Sequence, residues 1–312
     1  MTFEVSIIIV NWNTKGYLKK CLNSINQAIT GINVEIIVVD NASNDGSVDM
    51  VQKEFPFVKL IINFENLGFA KANNIGIASS VGNYLCFINS DVVVDRNCIK
   101  ELVQYLKKNK KVGIVGPLIK NPDGTVQPSC YGYPTLWNML CHAIGLHRLF
   151  PYSKLFCGRM IYKSHDAVQN VEVLIGCFWC VRREALDSVG MLDENFFMYA
   201  EDIDWCKRYH DAGWDVVFYP DTEVIHFGGA SSENAPIRFY IEMQKADLHY
   251  WEKHHGSIKK YLYKGNMYLF HFLRIVINSV LYVLNYKNKE EILFKIKRSA
   301  ACLKWLVAES HR

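Results

Sequence analysis

The sequence predicts an α/β chain in which a mostly parallel sheet, Rossmann-like in its alternation, is flanked by helices and followed by a helical basic tail. Three observations carry that prediction. The apolar runs 5–10, 34–39, 58–62, 84–88 and 112–115 have the length and β-branched content of strands buried on both faces. Segments of helical period lie between them, which gives a βαβ series and hence parallel pairing. Charge is divided unevenly, with 21 Lys and Arg against 25 Asp and Glu in residues 1–235 and 14 against 6 in 236–312, so an acidic body precedes a basic appendage.

The elements follow in order. Tyr17, Leu18, Cys21, Leu22 and Ile25 recur at helical spacing after Asn13-Thr14, which can cap a helix. Ile99, Leu102, Val103 and Leu106 repeat the pattern after Asp95. Asn121-Pro122-Asp123-Gly124 reads as a turn, because Pro presets φ and Gly tolerates positive φ. Beyond it, 171–175 and 177–181 read as strands joined at Gly176, 183–189 as a helix, 201–213 as a helix ended by Gly213, and 215–219 as a strand stopped by Pro220.

At 312 residues and 50% hydrophobic, the chain can bury a large core and is not disordered. Glu4 and the polar run 11–15 around a short apolar stretch do not form a secretory signal, which predicts a cytosolic chain. Ten cysteines without a framework of spacings read as buried apolar positions, and Cys177-x-x-Cys180 lacks a second ligand pair. The first strand ends in Asn11-Trp12-Asn13 without the Gly-x-Gly-x-x-Gly of dinucleotide enzymes, which argues against hydride transfer. Nothing in the pattern points to nucleic acid.

Four segments place polar groups where a strand ends or a helix begins: Val38-Val39-Asp40-Asn41-Ala42-Ser43, Phe87-Ile88-Asn89-Ser90-Asp91, Tyr199-Ala200-Glu201-Asp202-Ile203-Asp204 and His226-Phe227-Gly228-Gly229. Open α/β sheets bind ligands at such places. Asp40 can accept hydrogen bonds from a base or ribose, and its segment is equally turn material. Residues 66–74, with Lys71, can open a phosphate-attracting helix or simply a capped one. Asp91 is a hard oxygen donor suited to Mg²⁺ or Mn²⁺, although Asn-Ser-Asp also makes a strand-end turn. Glu201, Asp202 and Asp204 all suit the positive end of a helix dipole. Glu201 and Asp204 share a helical face while Asp202 is turned by about 100°. His226 beside an apolar run is a ligand or a structural histidine.

The order and wording of these segments resemble the inverting glycosyltransferases of family 2, particularly the bacterial rhamnosyltransferase-like branch, over roughly the first three quarters of the chain. The resemblance implies a GT-A fold in residues 1–235, with a nucleotide-sugar half to about 116 and an acceptor half from 117 to 235. It implies that Asn11, Asp40, Asn66, Lys71, Asn74 and Asp91 hold the donor. It makes Asp91 and His226 the metal ligands for Mg²⁺ or Mn²⁺ and Asp202 the general base. Ser231 or Ser232 contacts phosphate, and Trp179, Glu201 and Asp204 meet the acceptor, as could Arg182 or Arg183. Residues 128–170, aromatic-rich without a period, become a wall of the acceptor pocket. Family members usually carry Asp-x-Asp where this chain has Asn89-Ser90-Asp91, which puts the strength of metal binding in question.

Residues 267–284 are almost continuously apolar, broken by a polar stripe of His271, Arg274 and Asn278. A central Arg disfavours spanning, and lysines on both sides, together with Lys295, Lys297, Arg298 and Lys304, suit an interfacial helix on anionic lipid. Packing as a helical subdomain, on the body or in a homodimer, is the other option. The expected activity is transfer of L-rhamnose from dTDP-L-rhamnose to a lipid-linked or polysaccharide acceptor, in cell-surface glycan assembly on the inner face of the cell membrane. A UDP-sugar transferase of hexose or N-acetylhexosamine, or a non-catalytic nucleotide-sugar-binding membrane partner, are the alternatives.

Overall fold

A computed structural model describes residues 3–29, 31–151, 153, 155–156, 165–229, 236–286 and 288–309. Ser231, Ser232 and Lys287 lie outside the described residues. The chain divides into two units, residues 1–131 with 163–234 and residues 132–162 with 235–312.

The first unit is built on a nine-stranded sheet. Its strands are β1 (Val5–Asn11), β2 (Val34–Asp40), β3 (Lys59–Ile62), β4 (Tyr84–Asn89), β5 (Val92–Val94), β6 (Val112–Lys120), β8 (Gln169–Asn170), β10 (Phe178–Arg182) and β11 (Asp215–His226). The spatial order is β3-β2-β1-β4-β10-β6-β11-β5, with β8 also on β11. Pairing runs parallel between β1, β2, β3 and β4 and between β6 and β11, while β10, β5 and β8 run the other way. Six of the nine strands thus share one direction. Ile7, Ile8 and Ile9 of β1 are fully buried, as a parallel strand covered on both faces requires. The strand order reverses beside β1, which opens a crevice beyond the carboxyl ends of the strands.

The helices cover this sheet with the faces the sequence marks. Leu18, Cys21, Leu22 and Ile25 are buried in α1 (Lys15–Ala28), and Ile99, Leu102, Val103 and Leu106 in α4 (Cys98–Lys108). Also present are α2 (Ser47–Glu54), α3 (Phe69–Ala78), α7 (Arg183–Val189) and α8 (Glu201–Asp211), and a small ribbon pairs β7 (Cys130–Tyr131) with β9 (Val173–Leu174). Two local expectations change. Thr14 does not cap α1 with its side chain; its hydroxyl donates to Asn11 Oδ1 at 2.7 Å, and Asp45 accepts the Lys15 N–H instead. The last strand does not stop at Pro220. It continues to His226 across a register shift between Tyr219 and Glu223, and such an irregularity accommodates a residue without an N–H.

The second unit holds α5 (Leu136–Ile144), α6 (Leu146–Leu149), α9 (Pro236–Val283) and α10 (Lys289–Glu309). Gly256 breaks α9 with φ 76° and ψ 172°. Residues 132–162, read above as part of an acceptor wall, belong to this helical unit, in which α5 packs with α9. The polar stripe of α9 faces inward: His271 and Asn278 are buried, with His271 Nε2 3.0 Å from Gln244 Oε1. Burial, then the charges of Arg298 and Arg274, pull His271 down to about 4, so it is neutral at pH 7.

Gly68, at φ 83°, leads into α3, and a Cβ there would run into the Phe197 carbonyl, which accepts the Phe69 N–H at 2.6 Å. We expect Gly68→Ala to cost about 2–3 kcal/mol in urea unfolding; an unchanged midpoint would show that this close approach does not constrain the fold.

Candidate active site

A cleft of about 290 Å³ lies at the carboxyl ends of β1, β2 and β4 and is lined by Val10, Trp12, Asn41, Asn66, Asp91, Cys177, Tyr199, Glu201, Asp202 and His226, among others. Two carboxylate-bearing segments meet there, and each is placed by backbone structure.

Asp91 and His226 are brought together by the last ladder of the sheet. His226 pairs with Val92 in the antiparallel β11–β5 ladder, and the Phe227 N–H donates to the Asp91 carbonyl at 3.1 Å. Their side chains then lie 3.4 Å apart, His226 Nε2 to Asp91 Oδ1, both largely buried. Gln127 fixes the other side of the ring. Its Nε2 donates to Asn121 Oδ1, so its Oε1 faces His226 Nδ1 at 2.7 Å and can only accept; Nδ1 therefore carries a hydrogen, and Nε2, facing Asp91, is the nitrogen at which a cation would displace a proton. Burial lowers the His226 pKa, but hydrogen bonds to Asp91 and Cys177 outweigh it and raise the group to about 10. The pocket thus favours positive charge beside Asp91. A divalent cation fits that donor set of one carboxylate oxygen and one imidazole nitrogen when a substrate diphosphate supplies the remaining oxygens. No group of three or more His, Cys, Asp or Glu suited to a metal occurs among the described residues.

The second segment begins with strain. Tyr199 and Ala200 both have positive φ, 73° and 59°, a conformation that costs non-glycine residues roughly 1–3 kcal/mol each. It turns the chain sharply into α8, so that Glu201 and Asp202 enter the cleft from the helix N-terminus. Phe87, Trp179, Trp205 and Tyr209 form a cluster of edge-to-face and tilted aromatic rings, with Trp179 and Trp205 centroids 5.3 Å apart. Asp202 is half-buried and accepts the Ile203 N–H at 2.8 Å. Glu201 is buried and its Oε2 has no partner. Burial, then the charges of Asp202 and Asp204, raises Glu201 to about 8.

The cleft therefore includes Asn66, Asp91, Glu201, Asp202 and His226 of the expected residues. Others are placed elsewhere, for clear reasons. Asn11 is fully buried and donates to Asp40 at 2.8 Å and Ser43 at 3.1 Å. Asp40 is 1% exposed, with its second oxygen accepting the Ser43 N–H. These two back the wall, and their neighbours Val10, Trp12 and Asn41 line it. Asn74 is spent on Leu192 and Glu194, tying α3 to the loop before α8, and Lys71 is exposed and does not line the cleft. Asp204 is fully buried in an ion pair with Arg208 at 2.9 Å, and Trp179 is fully buried among aromatic rings, so neither lines the cleft. Arg182 donates to the carbonyls of Leu106, Asn109 and Val112 and Arg183 to Gly82 and Ser80; they anchor backbone rather than phosphate. Gln127 joins the site without any sequence signal, because it reaches His226 across 99 residues, and Cys177, whose Cys-x-x-Cys spacing marked no ligand, lines the cleft.

A strand-end cleft of this kind on a sheet of this order defines a GT-A glycosyltransferase. The fold is shared with a mannosyltransferase of Pyrobaculum calidifontis in complex with GDP-Man and Mn²⁺, at TM-score 0.58 and 15% identity over 98% of this chain and 88% of that one. GalNAc-T7 with UDP, GalNAc and Mn²⁺ gives TM-score 0.52 at 18% identity, over 72% of this chain and 44% of that one. The profile Glycosyl transferase family 2 matches residues 6–190, and the chain belongs to that family, in its rhamnosyltransferase-like branch. It is 30% identical to an N-acetylglucosaminyl-diphospho-decaprenol L-rhamnosyltransferase of Mycobacterium tuberculosis, covering 82% of this chain and 87% of that one. It is 28% identical to a dTDP-rhamnosyl transferase of Shigella flexneri, covering 80% of each.

Glu201 gives the site a pH signature. Its carboxyl titrates near 4.5 unfolded and about 8 folded, so at and below about pH 4.5 it is protonated in both states and adds no penalty. Between those values folding takes up a proton, stability falls as pH rises, and above about pH 8 the penalty is complete. We expect Glu201→Gln to melt above the wild type at about pH 8 and together with it near pH 4.5; a constant difference at every pH would show that the carboxyl is not protonated in the fold.

Proposed function

We propose that this glycosyltransferase is inverting and metal-dependent, and that it moves L-rhamnose from dTDP-L-rhamnose to a diphosphate-linked lipid or a growing polysaccharide. The observation that carries the reading is the convergence of Asp202 and the Asp91–His226 pair on one cleft. The names of the two relatives support the sugar and the lipid-linked acceptor, and the Mn²⁺ in the two solved neighbours supports the cation.

Asp91 Oδ1 and His226 Nε2 would hold the cation, which offsets charge on the leaving diphosphate. Gln127 keeps the imidazole in the ligating tautomer. Asn41 and Asn66 are joined at 3.3 Å and give the donor a hydrogen-bonding wall. Asp202 takes the proton of the acceptor hydroxyl as its oxygen attacks the anomeric carbon opposite the leaving group. The bond from that carbon to the diphosphate oxygen breaks in the same displacement, so the configuration inverts. Glu201, neutral at pH 7, can donate a hydrogen bond to the acceptor beside the base.

Asp202→Asn keeps shape and removes the proton acceptor, so we expect kcat to fall by roughly a hundredfold or more with nucleotide affinity nearly unchanged. Equal loss of binding would reject the role. Asp91→Ala and His226→Ala should each weaken Mn²⁺-dependent dTDP binding by roughly tenfold or more; unchanged calorimetric titrations would remove the pair from the metal site. Across a panel of dTDP-, UDP- and GDP-sugars with a lipid-diphosphate acceptor, release of dTDP from dTDP-L-rhamnose alone is the expected outcome. Turnover of a UDP-sugar would reassign the donor, and tight binding without turnover would make the chain a nucleotide-sugar-binding partner, the reading that Asn89 in place of the usual Asp favours.

A further inference from the structure

In residues 269–284 the helix α9 is inside out. His271 and Asn278 are buried, Arg274 and Ser279 are half-buried, and every exposed residue is apolar or aromatic. Leu269, Phe272, Val276, Val280 and Val283 recur at spacings of three and four, which puts them on one face, with exposures from 37% to 80%. Contiguous apolar surface of this kind marks a contact site.

Cations stand near both ends of that segment. The Arg274 guanidinium sits 5.0 Å from the Phe270 ring centroid, His142 stacks on Phe270 at 5.4 Å, and His147 stacks on His142 at 4.5 Å. Arg148 follows His147 in α6; burial, then the charges of Arg148 and Arg274, lower the His147 pKa. No ion pair with a carboxylate occurs at Arg148 or Arg274 among the described residues. At the far end of the helix, Lys289 Nζ lies 5.4 Å from the Tyr282 ring centroid. The helical unit as a whole has 17 Lys and Arg against 6 Asp and Glu, a net +11, and residues 132–162 have no acid at all.

We propose that this face docks on an anionic phospholipid bilayer, with the ridge from Leu269 to Val283 in the headgroup and acyl boundary and the exposed Arg148 and Lys289 on lipid phosphates. The charge selects that occupant. A second copy seated on the same ridge would bring two units of net +11 together, whereas anionic headgroups complement both those cations and the unit. The helix lies on the membrane rather than across it, since α10, which packs along α9, exposes Glu290, Glu291, Lys297 and Lys304. No residue of the cleft takes part, so the proposal stands apart from the choice of donor and acceptor.

The test is flotation of the full chain, without donor or acceptor, with vesicles of phosphatidylcholine alone and of phosphatidylcholine mixed with phosphatidylglycerol. The expected result is binding to the mixed vesicles that weakens with salt. The double variant Phe272→Ser, Val276→Ser should bind roughly tenfold more weakly or worse, and Arg148→Gln and Lys289→Gln about fivefold each, with far-UV melting curves matching the wild type. The two cation variants keep the test open if the serine variant does not fold. Absence of wild-type binding to either vesicle, wild-type binding by the ridge variant, or a wild-type dimer in sedimentation that the ridge variant turns into monomer without vesicle binding would each overturn the proposal.

Discussion

The antiparallel ladder between β11 and β5 is the constraint on which the cleft depends. It sets His226 opposite Val92 and lets the Phe227 N–H reach the Asp91 carbonyl. Two residues 135 positions apart in sequence thus become neighbours through hydrogen bonds between main chains, and their side chains follow. A register slip of one residue would turn His226 to the other face of the sheet. The irregularity at Tyr219 and Glu223 is part of the same device: it absorbs Pro220 and carries β11 beside β6 far enough to reach β5.

The other half of the cleft depends on a strained turn. Tyr199 and Ala200 stand in the left-handed region because their surroundings leave little choice. Phe197 is fastened to the start of α3, Asn74 grips Leu192 and Glu194, and Asp204 and Arg208 lock the first turns of α8 to the carbonyls of Val189 and Met191. The polar residues of these segments divide the work. Asp202 and Glu201 face the cleft, and Asp204 and Asn74 hold the backbone that aims them. A cluster of carboxylates at a helix start is commonly structural and functional at once, because the helix dipole stabilises both kinds.

The helical unit answers to a different physical demand. In the sheet unit, apolar residues point inward and the helices follow their amphipathic pattern. In α9 the segment from Leu269 to Val283 has too few polar residues to cover a solvent face. It buries what polar groups it has, His271 on Gln244 and Asn278 on the Arg274 carbonyl, and leaves an apolar ridge outward. The histidine side chains of α5 and α6 pack within this unit, His142 on Phe270 of α9 and His147 on His142.

The sequence by itself determined the βαβ series, the helix faces of α1 and α4, the strand-end positions of Asp91 and His226, and the charge division, because periodicity and turn chemistry are local and each run contains its own signal. It also marked Asp202 at a helix start. Only the tertiary structure decided which of the marked polar residues are free to act. Asn11, Asn74, Trp179 and Asp204 suit a binding site by type and are taken up by partners 29, 118, 5 and 4 residues away. The entry of Gln127, the extension of β11 through Pro220 and the inward turn of the α9 stripe share one cause. A side chain's burial and hydrogen-bond partner are set by what packs against it, and packing across more than a few residues leaves no local trace in the chain.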